Sequence, residues 1–139
     1  MNRRRRSNDA RDRGAAAVEF ALLLPMLLLL IFGIIDFGRA LNAQITLTQA
    51  AREGARLESL DQPNVVSRTQ AAATGLSNVS VTVVTACPAN GGAGTDAVVK
   101  VSYVFSFITP VGSIAEMFGG AGYGAPITMT AQGTIPCET

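Results

Sequence analysis

The chain has 139 residues, enough for one small domain and an appendage. It contains no histidine, which excludes serine–histidine and cysteine–histidine catalysis and imidazole metal sites. Two cysteines alone do not make an ordinary four-ligand zinc site, so we expect no metal and no cofactor. Charged residues make up 15% and apolar residues 48% of the chain, which indicates a membrane-associated protein rather than a disordered one.

The formal charge of +1 is unevenly distributed. Residues 1–14 contain six arginines and two aspartates, a net charge of +4, whereas residues 15–139 carry five basic and eight acidic residues, a net charge of −3. We therefore interpret residues 1–14 as a basic leader on the cytoplasmic side of a membrane.

Residues 15–35 form an apolar run whose only charged residue is Glu19. A helix of this length extends about 31 Å, close to the hydrocarbon thickness of a bilayer. With the arginines in front of it, the positive-inside rule predicts a single-pass protein of the cell membrane, with residues 40–139 outside the cytoplasm.

Three interpretations of the apolar run compete. A cleaved secretory signal usually has a shorter apolar stretch and a small-x-small cleavage site, and the nearest candidate here has Arg39 inside it. A plain membrane anchor is the second interpretation. The third depends on Gly14 and Glu19.

Glu19 is a carboxylate in a run that contains no lysine or arginine, so a cationic partner must come from outside the helix. Snorkelling towards the headgroups is one solution. Cleavage after Gly14 is another, because Ala15 would then carry a new α-amine. Such an amine could pair with Glu19 of a neighbouring chain and set the stagger between packed helices.

Two blocks carry a specific resemblance: residues 13–25, RGAAAVEFALLLP, and residues 50–56, AAREGAR. Together they resemble the TadE-like family, the TadE/TadG pseudopilins of the tight-adherence or Flp pilus system. The resemblance implies a minor pseudopilin involved in pilus assembly, cut between Gly14 and Ala15 by a prepilin peptidase. It also implies that the membrane and other pilins of the same system are partners.

Residues 36–60 are predicted to continue the helix out of the membrane, since apolar residues recur at helical spacing. Arg52, Glu53 and Arg56 form either a solvated face or a docking face for another subunit. Gly54, among alanines, gives a smooth surface that would allow close helix approach.

Residues 61–139 are predicted to form a small extracytoplasmic domain. The pattern indicates a short helix within 64–74, a helical turn at 113–118, and three strands around 79–83, 99–107 and 127–132. The predicted fold class is α+β: a long transmembrane helix that continues outward, a short second helix and a small antiparallel three-stranded sheet, as in pilins.

Cys87 and Cys137 follow the first and third predicted strands. In an oxidising compartment a disulfide between them is the first expectation, and two free buried thiols are the alternative.

The favoured function is therefore a non-enzymatic assembly protein with no nucleic-acid partner and no evident small-molecule substrate. An untrimmed, membrane-anchored binding or structural domain is the main alternative. An anchored enzyme is a weaker one, because the carboxylates of the outer domain are scattered in predicted loops: Asp61, Asp96, Glu116 and Glu138.

Overall fold

The structure of the chain is a computed structural model. It describes residues 3–88, 94–117, 119–120, 122 and 124–137, with side chains from Gly14 onward. Most of the loop predicted between the first two strands, the predicted end of the helical turn at Phe118, and Glu138 lie outside the described residues. So do the side chains of the leader before Gly14.

The first helix, α1, runs from Arg3 to Ser59 and is composed mainly of good helix formers such as alanine and leucine. Beyond it, Asp61 adopts a left-handed φ of 49° and donates its N–H to the Glu58 carbonyl, while the Gln62 N–H bonds to the Leu57 carbonyl. These paired bonds form a Schellman motif, which satisfies carbonyls at the helix end. The predicted continuation of the apolar helix beyond residue 35 is confirmed.

Two short helices and three strands follow. They are α2 at Val65–Ala72, β1 at Ser80–Thr85, β2 at Asp96–Phe105, α3 at Val111–Met117 and β3 at Ile127–Pro136. The strands form an antiparallel sheet in the order β1-β2-β3, in which Val101 of β2 lies opposite Val81 and Ala131. The predicted α+β fold class is confirmed.

The element bounds differ from the prediction at several ends. Helix α3 begins two residues before the predicted turn, because the Pro110 carbonyl accepts the Ile114 N–H and starts the helix. Strand β2 begins at Asp96, before the predicted start at residue 99, and β3 continues to Pro136, beyond the predicted end at residue 132. Pairing between the two strands extends the ladder past the positions where side-chain alternation is visible in the sequence.

The described contacts divide the chain into two compact units. One contains residues 1–36 and 108–124; the other contains residues 37–107 and 125–139. The second unit holds the sheet, both cysteines and the hydrophobic core.

Small residues bring α1 very close to the sheet in this core. Leu47, Ala51 and Ala55 of α1 are fully buried and pack in one cluster with Val99 and Val101. At Gly133 of β3, an added Cβ would come within 2.2 Å of the Ala51 carbonyl oxygen. A side chain at that position is sterically excluded, so the glycine permits this approach of strand to helix.

The small-residue surface around Gly54 is covered by the chain itself. A Cβ at Gly54 would lie 2.6 Å from Oγ1 of Thr69 in α2 and 2.9 Å from Val99 in β2. The predicted close approach therefore occurs, with α2 and the sheet as the packing elements. In α2, Thr69 is fully buried, whereas Val66 is exposed.

Candidate assembly site on the long helix

The predicted cleavage junction lies in the exposed, apolar part of α1. Gly14, Ala15 and Glu19 are all exposed, and a Cβ at Gly14 would meet nothing within 4 Å. Ala15 and Glu19 are four residues apart, so they are one helical turn apart on the same side of α1. Among the side chains that the structure describes, Glu19 forms no ion pair.

The surface around Glu19 is strongly apolar. An 18-residue stretch of α1 within Gly14–Ser59 reaches a mean hydropathy of 2.7, and none of it is buried inside the structure. Val18 and Phe20, which flank Glu19, are 61% and 58% exposed. By length and composition this helix can cross a membrane.

The same exposure continues past the predicted span. Phe37, Leu41 and Ile45 recur at a spacing of four residues and are each at least half exposed. Next to Ile45, a shallow open groove is lined by Gln44, Thr48, Gln49 and Arg52. The exposed side of α1 is thus apolar from Phe37 to Ile45 and becomes polar towards Arg52.

The charged face of α1 is partly paired within itself. Arg56 donates two hydrogen bonds of 2.9 Å to the Glu53 carboxylate. This bonding, with the nearby positive charges of Arg56 and Arg68, lowers the pKa of Glu53 below its usual 4.5. The pair's contribution to stability is present above that usual pKa and is lost as the pH falls through the lowered value. It is small, because solvent screens an exposed pair.

Arg52, the third residue of the predicted docking face, is exposed and lines the groove beside Ile45. Arg52, Glu53 and Arg56 thus lie together near the C-terminal end of α1, whereas Gly14 and Glu19 belong to its N-terminal part.

Two half-buried polar residues of α1 contact the sheet or the residue that follows β2. The Arg39 guanidinium lies 5.2 Å from the centroid of the Phe105 ring and donates to the Ser106 carbonyl. The Gln44 amide donates to the Thr130 carbonyl of edge strand β3 at 3.1 Å. Neither contact was predicted from the sequence, because the sequence pattern around a polar helical residue is the same whether its side chain contacts water or the edge of a strand.

Cys87 and Cys137 form the predicted disulfide, with Cα atoms 5.7 Å apart. Cys137 directly follows β3 and is held further by its N–H bond to the Thr95 carbonyl. The bridge links the chain after β1 to the chain after β3, the two outer strands of the sheet.

Comparison with known families addresses the part of α1 that carries these features. Residues 14–56 match the family model described as TadE-like protein. This TadE-like segment (residues 14–56) begins at the predicted cleavage residue and ends at Arg56. The resemblance based on the two sequence blocks is confirmed over these residues. No curated protein and no solved structure matches the chain.

The TadE-like family is a structural, pilus-associated family. A TadE-like segment with a long apolar helix fits a membrane-anchored, pilus-related protein, and this helix is the one candidate membrane span among the described residues. Among the described residues, no group of three or more histidine, cysteine or acidic side chains has an arrangement able to hold a metal ion.

Proposed function

We propose that the chain is a minor pseudopilin of a Flp or tight-adherence pilus system. In this proposal a prepilin peptidase cuts between Gly14 and Ala15, and the trimmed protein packs its apolar helix against other pilins. The observation that carries the proposal is the uncovered apolar helix of the TadE-like segment, in which Glu19 is the only charged residue between Ala15 and Ile35.

The proposed topology follows from charge. The leader has a net charge of +4 and precedes the apolar run, so it stays in the cytoplasm and the disulfide-bonded unit lies outside. An oxidising compartment outside the membrane is also where a disulfide persists.

Helix packing explains why Glu19 is kept in an apolar surface. A carboxylate in a low-dielectric environment is costly unless a positive group is close. Cleavage supplies the α-amine of Ala15, one turn from Glu19 on the same helix. A small stagger between two neighbouring helices would bring the amine of one subunit to Glu19 of the next and fix their register.

Further along α1, the exposed stripe of Phe37, Leu41 and Ile45 offers an apolar contact for a neighbouring subunit. Arg52, Glu53 and Arg56 continue this side of the helix with charged groups. In the proposal the apolar stripe supplies affinity, while the charged face selects the partner.

The N-terminal residue of protein recovered from cell envelopes tests the proposal. We expect mass spectrometry to find a chain that begins at Ala15. A Gly14→Leu variant should keep its leader, because the bulky side chain obstructs the peptidase. Gly38→Leu is the matched control, since it adds the same side chain to an equally open position of α1 and should be trimmed normally.

One observation favours the alternative, an untrimmed membrane-anchored domain. Helix α1 passes through Gly14 and Ala15 without a break, and a helical peptide bond must unwind before a peptidase can cut it. Recovery of intact leader from wild-type envelopes, with no chain starting at Ala15, would support this alternative and contradict the pseudopilin proposal.

A further inference from the structure

The apolar part of α1 ends at an acidic residue that is buried. Asp36 directly follows the predicted span and is 2% exposed. Its carboxylate accepts hydrogen bonds from the Ile108 N–H, at 3.4 Å, and from the Thr109 hydroxyl. A carboxylate withdrawn from water needs such donors, so these bonds tie the segment after β2 to the end of the apolar helix.

This tie lies within one compact unit, which contains residues 1–36 and 108–124. Residues 108 and 109 are therefore held at the level of α1 where the apolar stretch ends. If the stretch fills the hydrocarbon layer, that level is the membrane–water interface.

The tied segment, residues 108–117, has the composition of an interfacial element. In α3, Val111, Ile114 and Ala115 share one side of the helix, whereas Ser113 and Glu116 lie on the other. Glu116 is its only charged residue. A helix that lies in the plane of a membrane interface directs exposed apolar side chains towards the acyl chains. Val111, Ile114 and Ala115 are half-buried, so the exposed apolar side chains are those at the two ends of the segment.

Two large apolar side chains of the segment remain uncovered by the protein. Ile108 is 65% exposed and Met117 is 82% exposed. The proposed membrane insertion puts the membrane–water interface at the level of Asp36, and residues 108–117 contain no basic residue that would attract acidic headgroups.

We propose that residues 108–117 rest in the outer interface of the bilayer, with Ile108 and Met117 among the acyl chains. Asp36 and Thr109 position the segment. The proposal rests on the membrane insertion that the proposed function requires. It adds a second contact with the membrane, made by the extracytoplasmic part of the chain.

Site-specific fluorescence quenching tests the proposal on the full chain. Both cysteines of the sequence are in the disulfide, so a Met117→Cys variant presents one reactive thiol for an environment-sensitive fluorophore. The labelled protein is placed in phosphatidylcholine vesicles and exposed either to a lipid-borne quencher or to aqueous iodide. Val84→Cys, at a 56% exposed apolar position in β1, is the matched control.

We expect several-fold stronger quenching by the lipid-borne quencher at position 117 than at position 84, and the reverse order with iodide. A label at position 117 that iodide reaches as easily as the control overturns the proposal. So does a label hidden from both quenchers, because protein then covers the segment. Failure of the chain to float with vesicles is a separate outcome that overturns the membrane anchoring itself.

Thr109→Val in the Met117→Cys background tests the positioning role. The substitution keeps the shape of the side chain and removes the hydroxyl that bonds to Asp36. The label should then lose lipid quenching and gain iodide quenching, while flotation with vesicles is unchanged. Unaltered quenching would contradict the role of the Asp36 tie.

Discussion

At the scale of single residues, Glu19 distinguishes this helix from an ordinary membrane anchor. An anchor gains nothing from an acidic residue, because a carboxylate weakens insertion wherever it cannot reach the headgroups. Glu19 is off-centre in the run, so the insertion penalty is partly relieved by snorkelling towards the interface. The remaining cost is explained if the charge acts between subunits.

We predict that Glu19→Ala leaves membrane insertion intact but strongly reduces co-purification with pilins of the same system. Removal of the carboxylate deletes the group that the neighbour's amine would bind, whereas the helix becomes more apolar and inserts at least as well. Leu23→Ala is the matched control, because Leu23 lies one turn further on the same side and is 58% exposed. Wild-type co-purification of the Glu19→Ala protein would falsify the register role.

At the scale of elements, the packing of α1 on β3 depends on the absence of a side chain at Gly133. We predict that Gly133→Ala destabilises the sheet-bearing unit by about 1–3 kcal/mol, since the methyl group would collide with the Ala51 carbonyl and overpack the core. A thermal unfolding midpoint from limited proteolysis measures the effect. Thr134→Ala, at the exposed neighbouring position, should stay within about 0.5 kcal/mol of wild type. Equal midpoints for Gly133→Ala and wild type would contradict the close approach.

The same element shows what the sequence allows one to predict. Alternation of Val99, Val101 and Phe105 indicated strand β2 and its inner side, because period-two burial is a local property. The role of Gly133 was not predictable, since a glycine in a strand has the same local pattern whether a bulge, a ligand or a helix backbone lies against it. Such contacts join residues far apart in the chain and appear only when the elements are assembled.

Long-range polar contacts were missed for a related reason. Asp36 and Arg39 follow the apolar run, and in the sequence their charges merely cancel. In the structure Asp36 is buried and accepts hydrogen bonds from Ile108 and Thr109, and the Arg39 guanidinium lies over the Phe105 ring. The cleavage site and Glu19 could be proposed from sequence because their features are contiguous, and they remain predictions.

At the scale of the whole molecule, the sheet-bearing unit is small and has a core made largely of alanine and valine. A core of this size and composition buries little apolar surface, so such units commonly depend on a covalent link. The disulfide joins Cys87 and Cys137, which are 50 positions apart in the chain. Closure of a loop of that length removes conformational entropy from the unfolded chain and stabilises the fold by about 4 kcal/mol in the chain-entropy model.

We therefore predict that a reducing agent markedly lowers the thermal midpoint of the full chain in detergent, measured by limited proteolysis. A Cys87→Ser/Cys137→Ser double variant should start from the lowered midpoint and should not respond to the reductant. In intact cells, thiol alkylation of the wild-type protein should require prior reduction, because the proposed topology puts the unit on the oxidising side of the membrane. A thermal midpoint that is the same with and without the reducing agent would show that the bridge does not stabilise the unit. Thiols that react without reduction would place the unit in a reducing compartment, against the proposed topology.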